Sequence, residues 1–156
     1  MGPIWRCAGG LSNAGLDGTR FMALPVTALY AALLGLLYAA LTLLVVRGRF
    51  GSGVMLGTGE DKGLLRAVRA HANFAEFVPL ILILMALGEG MRLSSVVLHL
   101  LGAALVAARV LHAIGISQEP DVRPARGGGA VLTLVVLIAA SIAVLLRALT
   151  AVSVMG

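Results

Sequence analysis

Apolar positions along the chain gather in four long blocks, with polar residues confined to short stretches between them and to one unusual block. The first block, Leu24 to Val46 ("LPVTALYAALLGLLYAALTLLVV"), carries no charge. The second runs from about Leu64 to Gly88 and is apolar only in its second half. The third, Leu93 to Ile116, holds His99, Arg109 and His112. The fourth, about Ala130 to Val152, carries Arg147 close enough to its end for the guanidinium to snorkel to the interface. A helix crossing a hydrocarbon core of about 30 Å needs roughly 20 largely apolar residues. All four blocks reach that length, so the pattern predicts an all-α integral membrane protein folded as an antiparallel four-helix bundle.

The connections sharpen this picture. Connection one, Arg47 to Gly63 ("RGRFGSGVMLGTGEDKG"), is glycine-rich and reads as flexible. Connection two, Glu89 to Arg92, is a tight turn, which makes spans two and three antiparallel neighbours. Connection three, Ser117 to Gly129 ("SQEPDVRPARGGG"), has prolines and a triple glycine that should interrupt helix. Arg47, Arg49, Lys62, Arg123 and Arg126 lie on the side of connections one and three, against Arg6, Arg20, Arg92 and Arg147 opposite. The positive-inside rule therefore puts connections 47–63 and 117–129 in the cytoplasm.

Composition agrees with the pattern. The chain is 60% hydrophobic and 12% charged, half the charge of an average soluble domain, and its mean hydropathy is +1.02. The net charge of +5 comes from residues scattered at span ends. No aromatic-interleaved basic patch exists, so the charge points to topology and lipid headgroups, not to nucleic acid. Cys7 is the single cysteine, which excludes an internal disulfide and a cysteine metal site. Residues 1–21, a Gly-rich leader, read as a disordered extension or as a start assigned upstream of Met22; residues 22–156 form the four-span domain.

The second span begins "RAVRAHANFAEFVP", too polar for a helix that merely faces lipid. At about 100° per residue, Arg66, Arg69, Asn73 and Glu76 fall near 0°, 300°, 340° and 280°, one arc about 80° wide. His71 falls on the opposite side and reads as structural or interfacial. A charge at mid-membrane costs about 2.5–3.5 kcal/mol on translocon scales, and such residues normally face protein or water and carry function. The bland reading, arginines marking the interface with Glu76 as an internal staple, leaves the inward run through Asn73 and Glu76 unexplained. In span three, Arg109 and His112 are spaced i, i+3 and share a face toward the same end. His99, near the other end, reads as structural or interfacial. Arginines with one carboxylate and one amide suit a small zwitterionic anion: guanidinium holds carboxylate, carboxylate holds ammonium, amide reads a peptide bond. The set does not suit a metal, and no HExxH, P-loop or Ser/His/Asp arrangement is present.

Taken together, the four spans, "RAVRAHANFAEFVP", "ARVLHAIG" and an arginine before the fourth span resemble the MAPEG family, the membrane-associated proteins in eicosanoid and glutathione metabolism, in a bacterial-type form. The most specific part is R-x-x-x-N-x-x-E-[aromatic]-x-P, met by Arg69, Asn73, Glu76, Phe77 and Pro79. The resemblance implies a homotrimer with glutathione as co-substrate, bound between subunits near the cytoplasmic face. It implies that Arg69, Asn73 and Glu76 hold the tripeptide, that Arg47 reaches it from the adjacent chain, and that His112 lines the site. Arg66 and Arg109 support it. Arg123, with Arg126 as the alternative, matches the arginine that faces the thiol and would act catalytically. The implied partners are the chain itself, membrane lipid and a small hydrophobic substrate, in a bacterial inner membrane.

Two departures narrow the activity. Several eicosanoid-forming members have tyrosine where this chain has Phe77 and Ile116, which argues against a leukotriene or prostaglandin synthase. A glutathione or related-thiol transferase acting on hydrophobic electrophiles, with lipid-hydroperoxide reduction as a variant, is the expected function. A non-catalytic protein of the same fold that binds an anionic ligand or lipid is the alternative.

Overall fold

The computed structural model describes residues 23–117 and 123–155, with the side chains of residues 117, 123, 154 and 155 outside that description. It contains four helices: α1 (Pro25–Ser52), α2 (Lys62–Gly90), α3 (Ser95–Ser117) and α4 (Arg123–Met155). All four are long and apolar enough to cross a membrane. In hydrocarbon a helix keeps its backbone hydrogen bonds to itself, and so survives where an open strand would not.

The ends of the helices are fixed by identifiable groups. α1 starts with Pro25 in its first turn behind Leu24, whose side chain supplies no cap. The free amides of that turn are taken instead by the carboxylate of Glu89, at the far end of α2: Val26 N–H donates to Oε1 at 2.9 Å and Thr27 N–H to Oε2 at 2.8 Å. A negative charge there opposes the positive end of the helix dipole and satisfies two orphan donors. α2 is capped by Asp61, whose side chain accepts from Leu64 N–H at 3.0 Å. Pro79 lies inside α2, which continues through it. After Gly90 the chain turns through Arg92 at φ 58, and Leu93 N–H reaches back to the Gly88 carbonyl at 2.8 Å.

Connection three departs from expectation. α4 begins at Arg123 and absorbs Pro124 and all three glycines into its first turns. Pro124 is tolerated because the amide it lacks would be unpaired in a first turn. The glycines cost roughly 1 kcal/mol each in propensity, but close packing uses two of the chain's glycines. A Cβ on Gly129 would lie 2.6 Å from the Ala108 carbonyl oxygen, and one on Gly115 would collide with the Arg126 amide. The backbones of α3 and α4 therefore touch here. Lipid is as apolar as leucine, so such close approach replaces hydrophobic burial as the cohesive term.

α2 and α3 form the inner diagonal of the bundle; α1 packs on both from one side and α4 on both from the other, without meeting α1 among the described residues. The shared core includes Leu34, Phe74, Ile81, Met85, Leu98, Leu105 and Val136. Outward faces of α1, α3 and α4 are apolar and exposed, as lipid contact requires. The outward face of α2 is different. It carries Arg69 and Glu76 among Leu65, Leu80, Ile83 and Leu87, all exposed.

Candidate functional site

Helix α2 splits its polar arc: Asn73 turns to α3, Arg66 lies in a cleft with α1, and Arg69 and Glu76 face outward. Its buried line (Ala70, Phe74, Val78, Ile81) faces the core. Asn73 sits at one edge of that line and turns to α3. There the Arg109 guanidinium donates from Nη1 to the Asn73 side-chain oxygen at 2.7 Å and to its backbone carbonyl at 3.4 Å. Arg109 is 2% exposed, and its Nε and Nη2 have no hydrogen-bond acceptor among the described residues. An arginine carries five N–H donors and no acceptor, so one amide leaves most of its capacity unused.

One turn further along α3, His112 is also buried. Its Nδ1 lies 3.1 Å from the carbonyl oxygen of Arg126 in the first turns of α4. A carbonyl can only accept, so Nδ1 is the donor in this contact. The close contact of Gly129 with Ala108 and His112 holds this junction tight. The result is a cationic, desolvated centre built from α2, α3 and the start of α4: Arg109 fixed by Asn73, with His112 one turn away.

The other expected residues fall in distinct places. Arg69 and Glu76 point outward from α2 and are exposed, away from Arg109. Arg66 is half-buried and lines a cleft of about 280 Å³ with Leu44, Gly48, Gly63, Leu64 and Ala67. Arg47 is exposed at the end of α1. α1 packs on the His71 and Phe74 side of α2, through Tyr38 stacked at 4.6 Å and 5.3 Å, whereas Arg69 and Glu76 lie on the exposed face of α2. Arg126 is exposed, and its carbonyl oxygen lies against His112. The Arg123 side chain lies outside the described residues, as do Cys7 and all of residues 1–21.

His71 packs flat against Tyr38, a structural role. His99 sits at the other end of the bundle, where the Tyr30 hydroxyl donates to its carbonyl at 3.1 Å and lies 3.1 Å from Nδ1. Among the described residues no three His, Cys, Asp or Glu side chains gather into a metal-binding group. From sequence alone Arg109 takes only a supporting place. The i, i+3 pairing with His112 signalled its face, but its burial and its bond to Asn73 depend on how α3 sits against α2.

Comparison with known proteins adds a family. The model of the MAPEG family matches residues 27–146. Two curated relatives, both named inner membrane protein YecN, come from Escherichia coli strain K12 and Escherichia coli O6:H1. Each is 36% identical over 90 residues, covering 58% of this chain and 69% of the relative. No solved structure matches the chain.

Proposed function

Since the chain belongs to the MAPEG family and is a multi-pass protein of the inner membrane, we propose that it transfers the thiol of glutathione, or of a related small thiol, to hydrophobic electrophiles. The observation that carries this reading is Arg109: a guanidinium 2% exposed, held by Asn73, with two N–H-bearing nitrogens that no described residue accepts from. Leaving a buried donor unmade costs about 1–3 kcal/mol, more when it is charged. A carboxylate-bearing ligand removes that cost through short, charge-assisted bonds.

Outward-facing Arg69 and Glu76 fit the same proposal. Glu76 is thirteen residues from Glu89 at the far end of α2, about 20 Å of helix, a depth at which a carboxylate facing acyl chains is costly. A second copy of the chain would cover it. In the proposed homotrimer, Arg69 holds a ligand carboxylate, Glu76 its ammonium group, and Arg47 reaches in from the adjacent subunit at the cytoplasmic end. Asn73 then acts by positioning Arg109 rather than by reading a peptide bond alone.

Arg123, at the first position of α4, is proposed to face the sulfur, with Arg126 as the alternative. A free thiol has a pKa near 8.5, so little of it is thiolate at neutral pH. A guanidinium beside the sulfur favours the charged form and releases the proton to solvent. The sulfur lone pair then forms the C–S bond with an electrophilic carbon delivered from the hydrocarbon, and the leaving group departs with the displaced electron pair.

The test is thiolate ultraviolet absorbance on adding glutathione to detergent-purified protein, with equilibrium binding followed in parallel. Wild type is expected to give the signal, and Arg123→Ala to bind glutathione without it. Binding without thiolate in both would favour the non-catalytic anion-binding alternative, and no binding to wild type would refute both the transferase and its ligand.

A further inference from the structure

The connection between α1 and α2, glycine-rich and read from sequence as flexible, is gathered in the structure around one arginine. Arg49 organises it: Nη1 donates to the carbonyls of Val54 at 3.3 Å, Met55 at 3.0 Å and Gly57 at 3.1 Å. Gly57 takes φ 71, a conformation that favours glycine. The Asp61 amide closes the turn on the Thr58 carbonyl at 3.2 Å. This cationic hub draws the backbone polar groups inward and turns side chains out. Those side chains are apolar: Leu56 is 92% exposed, Phe50 78% and Met55 76%, more exposed than any other large apolar side chain described, including those on the spans.

We propose that this loop is a membrane-interface anchor, with Phe50, Met55 and Leu56 inserted at the boundary between headgroups and acyl chains. Three observations favour lipid as the occupant. First, Phe50 continues the exposed stripe of α1 through Leu29, Leu36 and Leu43, each seven residues apart and each on the outward face. Second, its depth fits. Phe50 is twenty-five residues from Pro25, about 38 Å of helix, which exceeds a hydrocarbon core of about 30 Å but not the full bilayer of about 40–45 Å. Third, Lys62 borders the loop where α2 begins and is exposed, placed to meet lipid phosphates. An apolar tip beside a basic residue suits a segment that lies in the interface plane. The cleft lined by Gly48, Leu64 and Arg66 opens beside this loop, so the anchor holds that opening at headgroup level.

The experiment places a fluorophore on the tip. Trp5 is the only tryptophan, so Trp5→Phe with Leu56→Trp gives a single reporter in the full chain. The protein is reconstituted in nanodiscs of phosphatidylethanolamine and phosphatidylglycerol, where both faces are accessible. Emission should be blue-shifted, quenched more by lipids brominated near the headgroup than by those brominated deep in the chain, and insensitive to iodide. Red-shifted emission quenched by iodide alone would overturn the proposal by placing the tip in water. Blue-shifted emission that neither quencher reaches would overturn it in favour of a protein cover, such as a second subunit. Glu60→Trp in the same background, on the polar side of the loop, should remain open to iodide. Adding Arg49→Gln to the Leu56→Trp reporter should trade lipid quenching for iodide quenching, and an unchanged profile would overturn the role given to Arg49.

Discussion

The two ends of this bundle both bury polar groups between helices, and they treat them in opposite ways. Where α1 begins and α2 ends, Glu89 gives each carboxylate oxygen its own backbone amide, while Tyr30 and His99 satisfy one another. At the other end Arg109 spends one nitrogen on Asn73 and leaves two without an acceptor among the described residues. The first arrangement satisfies both carboxylate oxygens within one chain, leaving the Thr27 hydroxyl without a partner among the described residues, and reads as a staple. The second is incomplete among the described residues, and under the proposed function it is completed by the ligand. Polar groups in a membrane bundle are therefore not equivalent signals of function; what distinguishes them is whether the fold itself satisfies them.

Substitutions can break that contrast. The largest expected effect is Arg109→Leu. Losing one partner of a buried charge-assisted contact typically costs about 2–5 kcal/mol of binding, so glutathione affinity measured by calorimetry should fall by more than tenfold. The thermal midpoint in detergent should hold or rise, because replacing a poorly paired buried charge with an apolar side chain is often neutral or stabilising. A sharp drop in the midpoint with affinity retained would make Arg109 a structural residue and erase the distinction.

Glu89→Ala should do the reverse. Two amides at the start of α1 lose their acceptor, an effect of about 1–3 kcal/mol, read as a lower thermal midpoint with unchanged glutathione affinity. Asn73→Asp sharpens the comparison by completing the incomplete end. An internal carboxylate beside Arg109 should compete with the ligand, lowering affinity while the protein grows no less stable; tighter binding would mean that Asn73 does not position Arg109. The smallest effect is expected from Tyr30→Phe. It removes the hydroxyl shared with His99, about 0.5–1.5 kcal/mol of stability, with no change in binding.

Much of this architecture is legible in the sequence because lipid imposes a simple rule: four apolar blocks of sufficient length become four helices. The arc of Arg66, Arg69, Asn73 and Glu76 was equally legible from helical spacing. Its division was not, since only the placement of α3 turns Asn73 toward Arg109 and leaves Arg69 and Glu76 outside. The Glu89 cap joins residues more than sixty positions apart, beyond any local pattern. The helical start of α4 was missed for a related reason. Proline and glycine are read as breakers from their own propensities, whereas Gly115 and Gly129 are retained for the contact they permit with a neighbouring backbone. Arg49 looked like one more topological charge, and nothing in its neighbours announced that it would gather three carbonyls.

Pro79 has a mechanical consequence for α2. Its nitrogen bears no hydrogen, so the Ala75 carbonyl loses the main-chain rung that would otherwise join it to the next turn. Bending stiffness is lowest at that missing rung, which separates the half of α2 bearing Arg69 and Asn73 from the half that Glu89 pins to α1. A bend in α2 would therefore centre on this joint, between the end held by Glu89 and the end that carries Asn73.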